Sequence, residues 1–184
     1  MILGLDMATK KTGYCIMSKN EKIKECGLIR TMSDNTKDRM KEIYFEVKSL
    51  VHKYNITHIV LEDVPVNNHN NIKTGKDLSV LQGVILGICF DMGITFSLYN
   101  PSSWRTIIGT YNGTREGMKR DFQKRKAVET VNSIYNLGFV YNETETKTRL
   151  TDDDKAEAIL IALAYLKDGN KEWYYGKNYW WEKI

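Results

Sequence analysis

Four carboxylates stand where metal-dependent chemistry would need them. Asp6 closes the apolar run that begins at Ile2, Glu62 lies near the end of the apolar run 57–64, and Asp154 and Glu157 sit three apart before the stretch AILIALAYL. An acid that ends a buried strand is desolvated, so it must be paired, hydrogen-bonded or neutralised by a metal ion. Acids three apart on a helix face the same way. If the two strands are neighbours, their terminal acids converge on one ion, and the helix can lay its first turn across them. Hard oxygen donors suit magnesium or manganese. Two such ions can activate a water and stabilise the leaving oxygen of a phosphodiester.

Each acid also has a plain structural reading. Asp6 alone reads as a turn residue and Glu62 as solvent-exposed, while the run 152–154 makes an adequate helix cap. Asp153 stays open as a substitute for Asp154 or a helper to it. Glu157 is harder to dismiss, because the helix that follows it is apolar enough to be mostly buried. His58 and His69 have no second ligand at usable spacing. Ser102 and Ser103 precede Trp104 with no matching histidine, and capping explains them better than nucleophilic catalysis.

These acids need a sheet and helices to position them. Residues 2–6, 13–18 and 23–30 read as strands, with Lys19 and Asn20 as a tight hairpin turn. Apolar residues at three and four predict a helix over 38–54, capped by Asp34 or Thr36. A strand over 57–64 then returns parallel to the first by a helical crossover. Pro65 stops it, and 67–71 is a polar asparagine loop.

Residues 76–92 predict a helix that is apolar on nearly every side and so is covered twice, by its own sheet and by a partner subunit. A fifth strand over 94–99, a short helix over 101–108 and a break at 109–113 follow. The helix over 119–135 turns Phe122, Val128, Val131, Ile134 and Tyr135 inward and Lys119, Arg120, Lys124, Arg125 and Lys126 outward. A polar connection over 141–151 leads to a last helix over 153–166, opened by the capping pattern Thr151-x-x-Asp154. The expected architecture is α/β, a five-stranded mixed sheet with helices on both faces.

The chain has 184 residues, enough for one well-buried core, with an aromatic tail from Trp173 to Trp181. No apolar stretch reaches a membrane span and Met1 leads straight into a strand, so a cytoplasmic protein without a signal peptide is expected. Cys15, Cys26 and Cys89 are widely spaced and read as reduced structural thiols. The 27 Lys and Arg against 23 Asp and Glu give only a small net charge of +4. Basic residues nevertheless crowd into 115–126, apart from the acids. That separation fits an enzyme acting on a polyanion, and equally a solvated helix beside an acidic cap.

The ordered motifs resemble the RuvC family of Holliday junction resolvases in the RNase H-like superfamily, most nearly its bacteriophage members, over residues 1–166. ILGLDMATKKTGYCIM resembles the opening strand pair with the first catalytic aspartate at Asp6, and HIVLEDV the second acidic strand with Glu62. PSSWRTIIG resembles the segment after the fifth strand, and DDDKAEAILIA the closing helix with Asp154 and Glu157. Met7 and Ala8 stand where Pro-Gly is usual, Glu157 where Asp is common, and the loop after Glu62 lacks the aromatic of many bacterial members.

The resemblance implies a nuclease domain over 1–168, an unassigned aromatic tail over 169–184, and two Mg2+ ions per site, with Mn2+ as a substitute. It implies hydrolysis of four-way and other branched DNA by a homodimer joined through helix 76–92, acting in a bacterial host cytoplasm if phage-encoded. Arg105, Arg115, Lys119 and Lys124 are its candidate DNA contacts. The competing expectations are an RNase H-like nuclease on RNA or an RNA–DNA hybrid, and a non-catalytic junction-binding protein.

Overall fold

Short β-branched and apolar runs broken by turn residues make the strands, and longer runs with apolar residues at three and four make the helices. The structure, a computed structural model, describes residues 1–64, 72–111, 113–142 and 151–169. Its elements are β1 (Ile2–Asp6), β2 (Lys11–Met17), β3 (Ile23–Arg30), α1 (Thr36–Tyr54), β4 (His58–Glu62), α2 (Ile72–Met92), β5 (Thr95–Tyr99), α3 (Pro101–Ile108), α4 (Arg120–Tyr135) and α5 (Asp153–Lys167).

The strands form one sheet in the order β3-β2-β1-β4-β5. β1 runs antiparallel to β2 and parallel to β4, and β4 runs parallel to β5, so the sheet is mixed as expected. Helices cover both faces. Leu3, Leu5, Ile59 and Leu61 pack with residues of α1 and α2, while Ile2, Val60, Cys15 and Met17 pack with α5 and α4 on the other side. Among the described residues no helix is long and apolar enough to cross a membrane. The three cysteines are free thiols.

α5 is the buried centre of its layer, with every residue from Asp153 to Tyr165 except Lys155 buried. Two glycines let it lie against the strands. A Cβ on Gly4 would stand 2.5 Å from the Ala158 carbonyl oxygen and 2.8 Å from the Ala162 Cβ. A Cβ on Gly13 would overlap the carbonyl of Asp154. Gly13 is also the strand partner of Asp6, so the missing side chain admits the first turn of α5 directly beside that acid.

Several local expectations are corrected. Lys19 and Asn20 form the expected tight turn, the Glu21 N–H donating to the Ser18 carbonyl at 3.0 Å, but Glu21 at φ 58° and a register shift at Ile16/Met17 extend the connection to 18–22. The bulge beside the turn takes up the extra residue on one strand. Asn35, neither Asp34 nor Thr36, caps α1 by accepting from the Lys37 N–H. α2 begins at Ile72 because Gly75 does not break it; an exposed helical glycine costs only about 1 kcal/mol relative to alanine. Ile134 is 45% exposed, and Ala127 takes its place in the core. The pattern at Thr151 makes no capping box: Asp152 is the N-cap and Thr151 donates instead to Asp153. The asparagine loop, His69, most of the connection 141–151 and the aromatic tail after Gly169 lie outside the described residues.

Candidate active site

Parallel pairing of β1 with β4 sets Gly4 against Val60 and Leu5 against Leu61, so Asp6 and Glu62 leave the sheet side by side at its carboxyl edge. By the two-residue strand period both point toward the α5 face. There Asp154 and Glu157 meet them, and the four acids line one cavity of about 230 Å³ together with Arg105, Lys124 and Gln123.

Basic side chains enter this cavity from α3 and α4, and Lys11 of β2 reaches Asp154 from the neighbouring side. Arg105 bridges two acids, its Nη2 donating to Glu157 Oε1 at 2.7 Å and its Nη1 standing 3.4 Å from Glu62 Oε2. Trp104, fully buried beneath the Arg105 guanidinium, donates from Nε1 to the same Glu62 oxygen at 2.7 Å. Lys124 pairs with Asp153 and lies 3.2 Å from Asp154 Oδ1. Lys11 lies 2.5 Å from the other Asp154 oxygen.

Asp6 differs from the rest. Its carboxylate makes no hydrogen bond or ion pair with a described residue. Burial first, then repulsion from Glu157, Glu62 and Asp154, push it well above the ordinary carboxylate range, against a weaker pull from Lys124. Burial also raises Glu62, and Glu157 adds to this, while Arg105 and the Trp104 hydrogen bond oppose it.

The donor set therefore suits a divalent metal: every candidate donor is a carboxylate oxygen, and those of Asp6 have no hydrogen-bond or ion-pair partner among the described residues. As the side chains stand, no three acids among the described residues close around a single point. Arg105, Lys124 and Lys11 instead hold the acids apart in pairs and carry part of the compensating charge.

Of the candidates from the sequence, Asp6, Glu62, Asp154 and Glu157 are brought together. Asp153 is turned away from them, 2% exposed, accepting from Thr151 Oγ1 at 2.6 Å and from Lys124. Arg105, a candidate DNA contact, and Lys124, a candidate expected to face outward, are both turned into the acidic cluster. Arg115 and Lys119 are exposed, Lys119 in a local ion pair with Glu116. Sequence reasoning missed Trp104, Lys11 and Gly13. Only Gly13 carried a local signal, since glycine inside a strand marks a close backbone approach.

The family model described as crossover junction endodeoxyribonuclease RuvC matches residues 2–138. The chain belongs to the RuvC family. Crossover junction endodeoxyribonuclease RuvC of Dictyoglomus thermophilum is 33% identical over 171 residues, covering 90% of this chain and 96% of the relative. That of Brachyspira hyodysenteriae is 27% identical, covering 89% and 91%. In fold, the chain is similar to Thermus thermophilus RuvC solved in complex with a Holliday junction substrate, at a TM-score of 0.68 and 14% identity over 92% of this chain and 94% of that one. The expected family, its fold and its endodeoxyribonuclease class are borne out.

Proposed function

We propose that this RuvC-family chain is a structure-selective endonuclease that resolves four-way and other branched DNA by metal-dependent phosphodiester hydrolysis, through its domain at 1–168. Asp6, Glu62, Asp154 and Glu157 would hold the metal, two Mg2+ ions per site with Mn2+ as a substitute. The observation that carries this is the unpartnered Asp6 carboxylate among three further acids. When bound, the metal pair supplies an activated water and stabilises the leaving oxygen. The protein's own groups do the positioning. Trp104 and Arg105 hold Glu62 in one rotamer, Arg105 ties Glu157 to it, and the buried first turn of α5 keeps Asp154 opposite Asp6. Arg105, Lys124 and Lys11 are cations beside the place a phosphate would occupy, suited to draw it toward the metal that the acids would hold.

Paired nicks in a four-way junction need two active sites, and a two-fold dimer provides them. The face of α2 that carries Val80 and Phe90, 55% and 73% exposed, supports dimerisation through residues 76–92. Phe90→Asp is expected to shift sedimentation from dimer to monomer. Arg115 and Lys119 are proposed as backbone-phosphate contacts outside the cavity.

The test is a synthetic four-way junction incubated with wild type and Glu157→Gln, with and without magnesium. Symmetric nicks from wild type in magnesium alone are expected. An intact junction in every wild-type reaction overturns the nuclease reading.

A further inference from the structure

A second cavity of about 590 Å³ opens directly beside the acid site and shares Ala8, Arg120, Lys124 and Asp154 with it. Its walls come from the β1–β2 turn, the start of α4 and the segment before α5. The cations on these walls are not equivalent. Lys11 and Lys124 are engaged by Asp154 and Asp153. Lys10 and Arg120 are exposed and make no ion pair or side-chain hydrogen bond with a described residue. Tyr141, half-buried with its side chain packed against the core, also lines the cavity, its hydroxyl donating to Asp121 at 3.2 Å.

Uncompensated positive charge, an aromatic surface and room for one nucleotide are what a single nucleic-acid strand requires, since phosphates seek cations and every base has a face that stacks. The position of the cavity gives the strand a route. A phosphate seated at the four acids has its neighbouring nucleotide one step away, and the cavity begins one residue, Ala8, from Met7 at the acid site's edge.

We infer that this cavity is a nucleotide subsite: Lys10 and Arg120 hold the phosphate next to the one being cut, and the base between the two phosphates stacks on Tyr141. The inference rests on the nuclease reading above and adds to it residues for which the acids are not needed. Charge and stacking read no base edge, so the subsite holds any base and sets affinity for a strand opened at a branch point, not sequence preference.

The experiment uses full-length wild type, the Lys10→Ala/Arg120→Ala double variant, Tyr141→Ala and Tyr141→Phe. The substrate is a four-way junction with 2-aminopurine walked one position at a time across the crossover. Fluorescence and binding are read in EDTA, and cleavage is read in magnesium. The double variant is expected to raise KM about tenfold, a larger effect than any on kcat from the loss of Arg120 at the edge of the acid site, and to lower the salt dependence of binding by about 0.7 per lost contact. Tyr141→Ala should weaken binding about tenfold and abolish quenching at the position beside the cut, and Tyr141→Phe should restore both. Wild-type KM and salt dependence in the double variant, or fluorescence at every position unmoved by Tyr141→Ala, overturns the subsite while leaving the nuclease reading intact. Tyr141-dependent quenching with no cleavage by wild type overturns the nuclease reading and keeps the subsite.

Discussion

β4 carries an ionisable side chain at each end, and the two are handled in opposite ways. His58 begins the strand, buried, with Nδ1 2.7 Å from Thr95 Oγ1, Nε2 3.0 Å from Ser97 Oγ, and its ring stacked 4.0 Å from that of Tyr165. Both nitrogens are satisfied by neutral partners, and burial holds the imidazole down at about 4. Glu62 ends the same strand on the same face, where burial raises its carboxyl and Asp6 beside it has no hydrogen-bond or ion-pair partner among the described residues. One helix covers both ends, Tyr165 lying over His58 and Glu157 near Glu62. A buried group with every valence met by hydroxyls stabilises the fold and has no need of a ligand. Buried acids crowded together are costly without one. The difference between the ends is the reason to place function at the carboxyl edge.

Substitution at the two ends should separate the roles. Asp6→Asn is expected to lower junction cleavage on the order of 10³-fold, because loss of a metal ligand removes several kcal/mol of transition-state stabilisation. The same change should raise the melting temperature of the metal-free protein. With its folded pKa above the ordinary 3.8, Asp6 holds its proton more tightly folded than unfolded, so stability falls as pH rises from about 4 through the folded value. Asparagine removes that loss. A lower melting temperature for Asp6→Asn at neutral pH would break the contrast between the ends.

Next in size, Gly13→Ala forces the first turn of α5 off β2 and with it Asp154 away from Asp6. A loss of about 1–3 kcal/mol in denaturant unfolding, with activity falling further than stability, is expected. Unchanged cleavage would mean the acids need no such close seating.

At the opposite end His58 gives a pH signature of the other sign. Its folded value lies below the ordinary 6.5, so the stability it contributes is present above 6.5 and is lost as pH falls toward 4, about 3 kcal/mol in all. His58→Gln should flatten the urea midpoint between those pH values without changing cleavage at pH 8. The smallest effect is assigned to Asp153→Asn, which loosens Lys124 but removes no acid from the cavity. About a tenfold loss of cleavage is expected, well short of that of Asp154→Asn. Equal losses for the two would make Asp153 a ligand.

The acids and the sheet that carries them could be read from the residues, because an apolar run ending in a carboxylate is a local pattern and strand period fixes the face. The positive side of the site could not. Lys124 and Arg105 have the same local signature whether a helix face meets water or another helix, and only the packing of α3 and α4 on α5 turns them inward. Lys11 is one of two adjacent lysines, and strand register alone decides that it reaches Asp154 while Lys10 stays outside. The caps at Asn35 and Asp152 each lie one residue from the expected position because neighbouring polar side chains compete for the same backbone groups.

If Asp6 anchors a metal site, the metal needs its carboxylate in order to bind. Manganese binding to the wild-type protein, followed by electron paramagnetic resonance in the presence of a four-way junction with uncleavable linkages at the crossover, tests it most directly. Two manganese ions bound per chain, lost in Asp6→Asn and retained in His58→Gln, are expected; wild type that leaves all the manganese free, or Asp6→Asn that binds as wild type does, would contradict it.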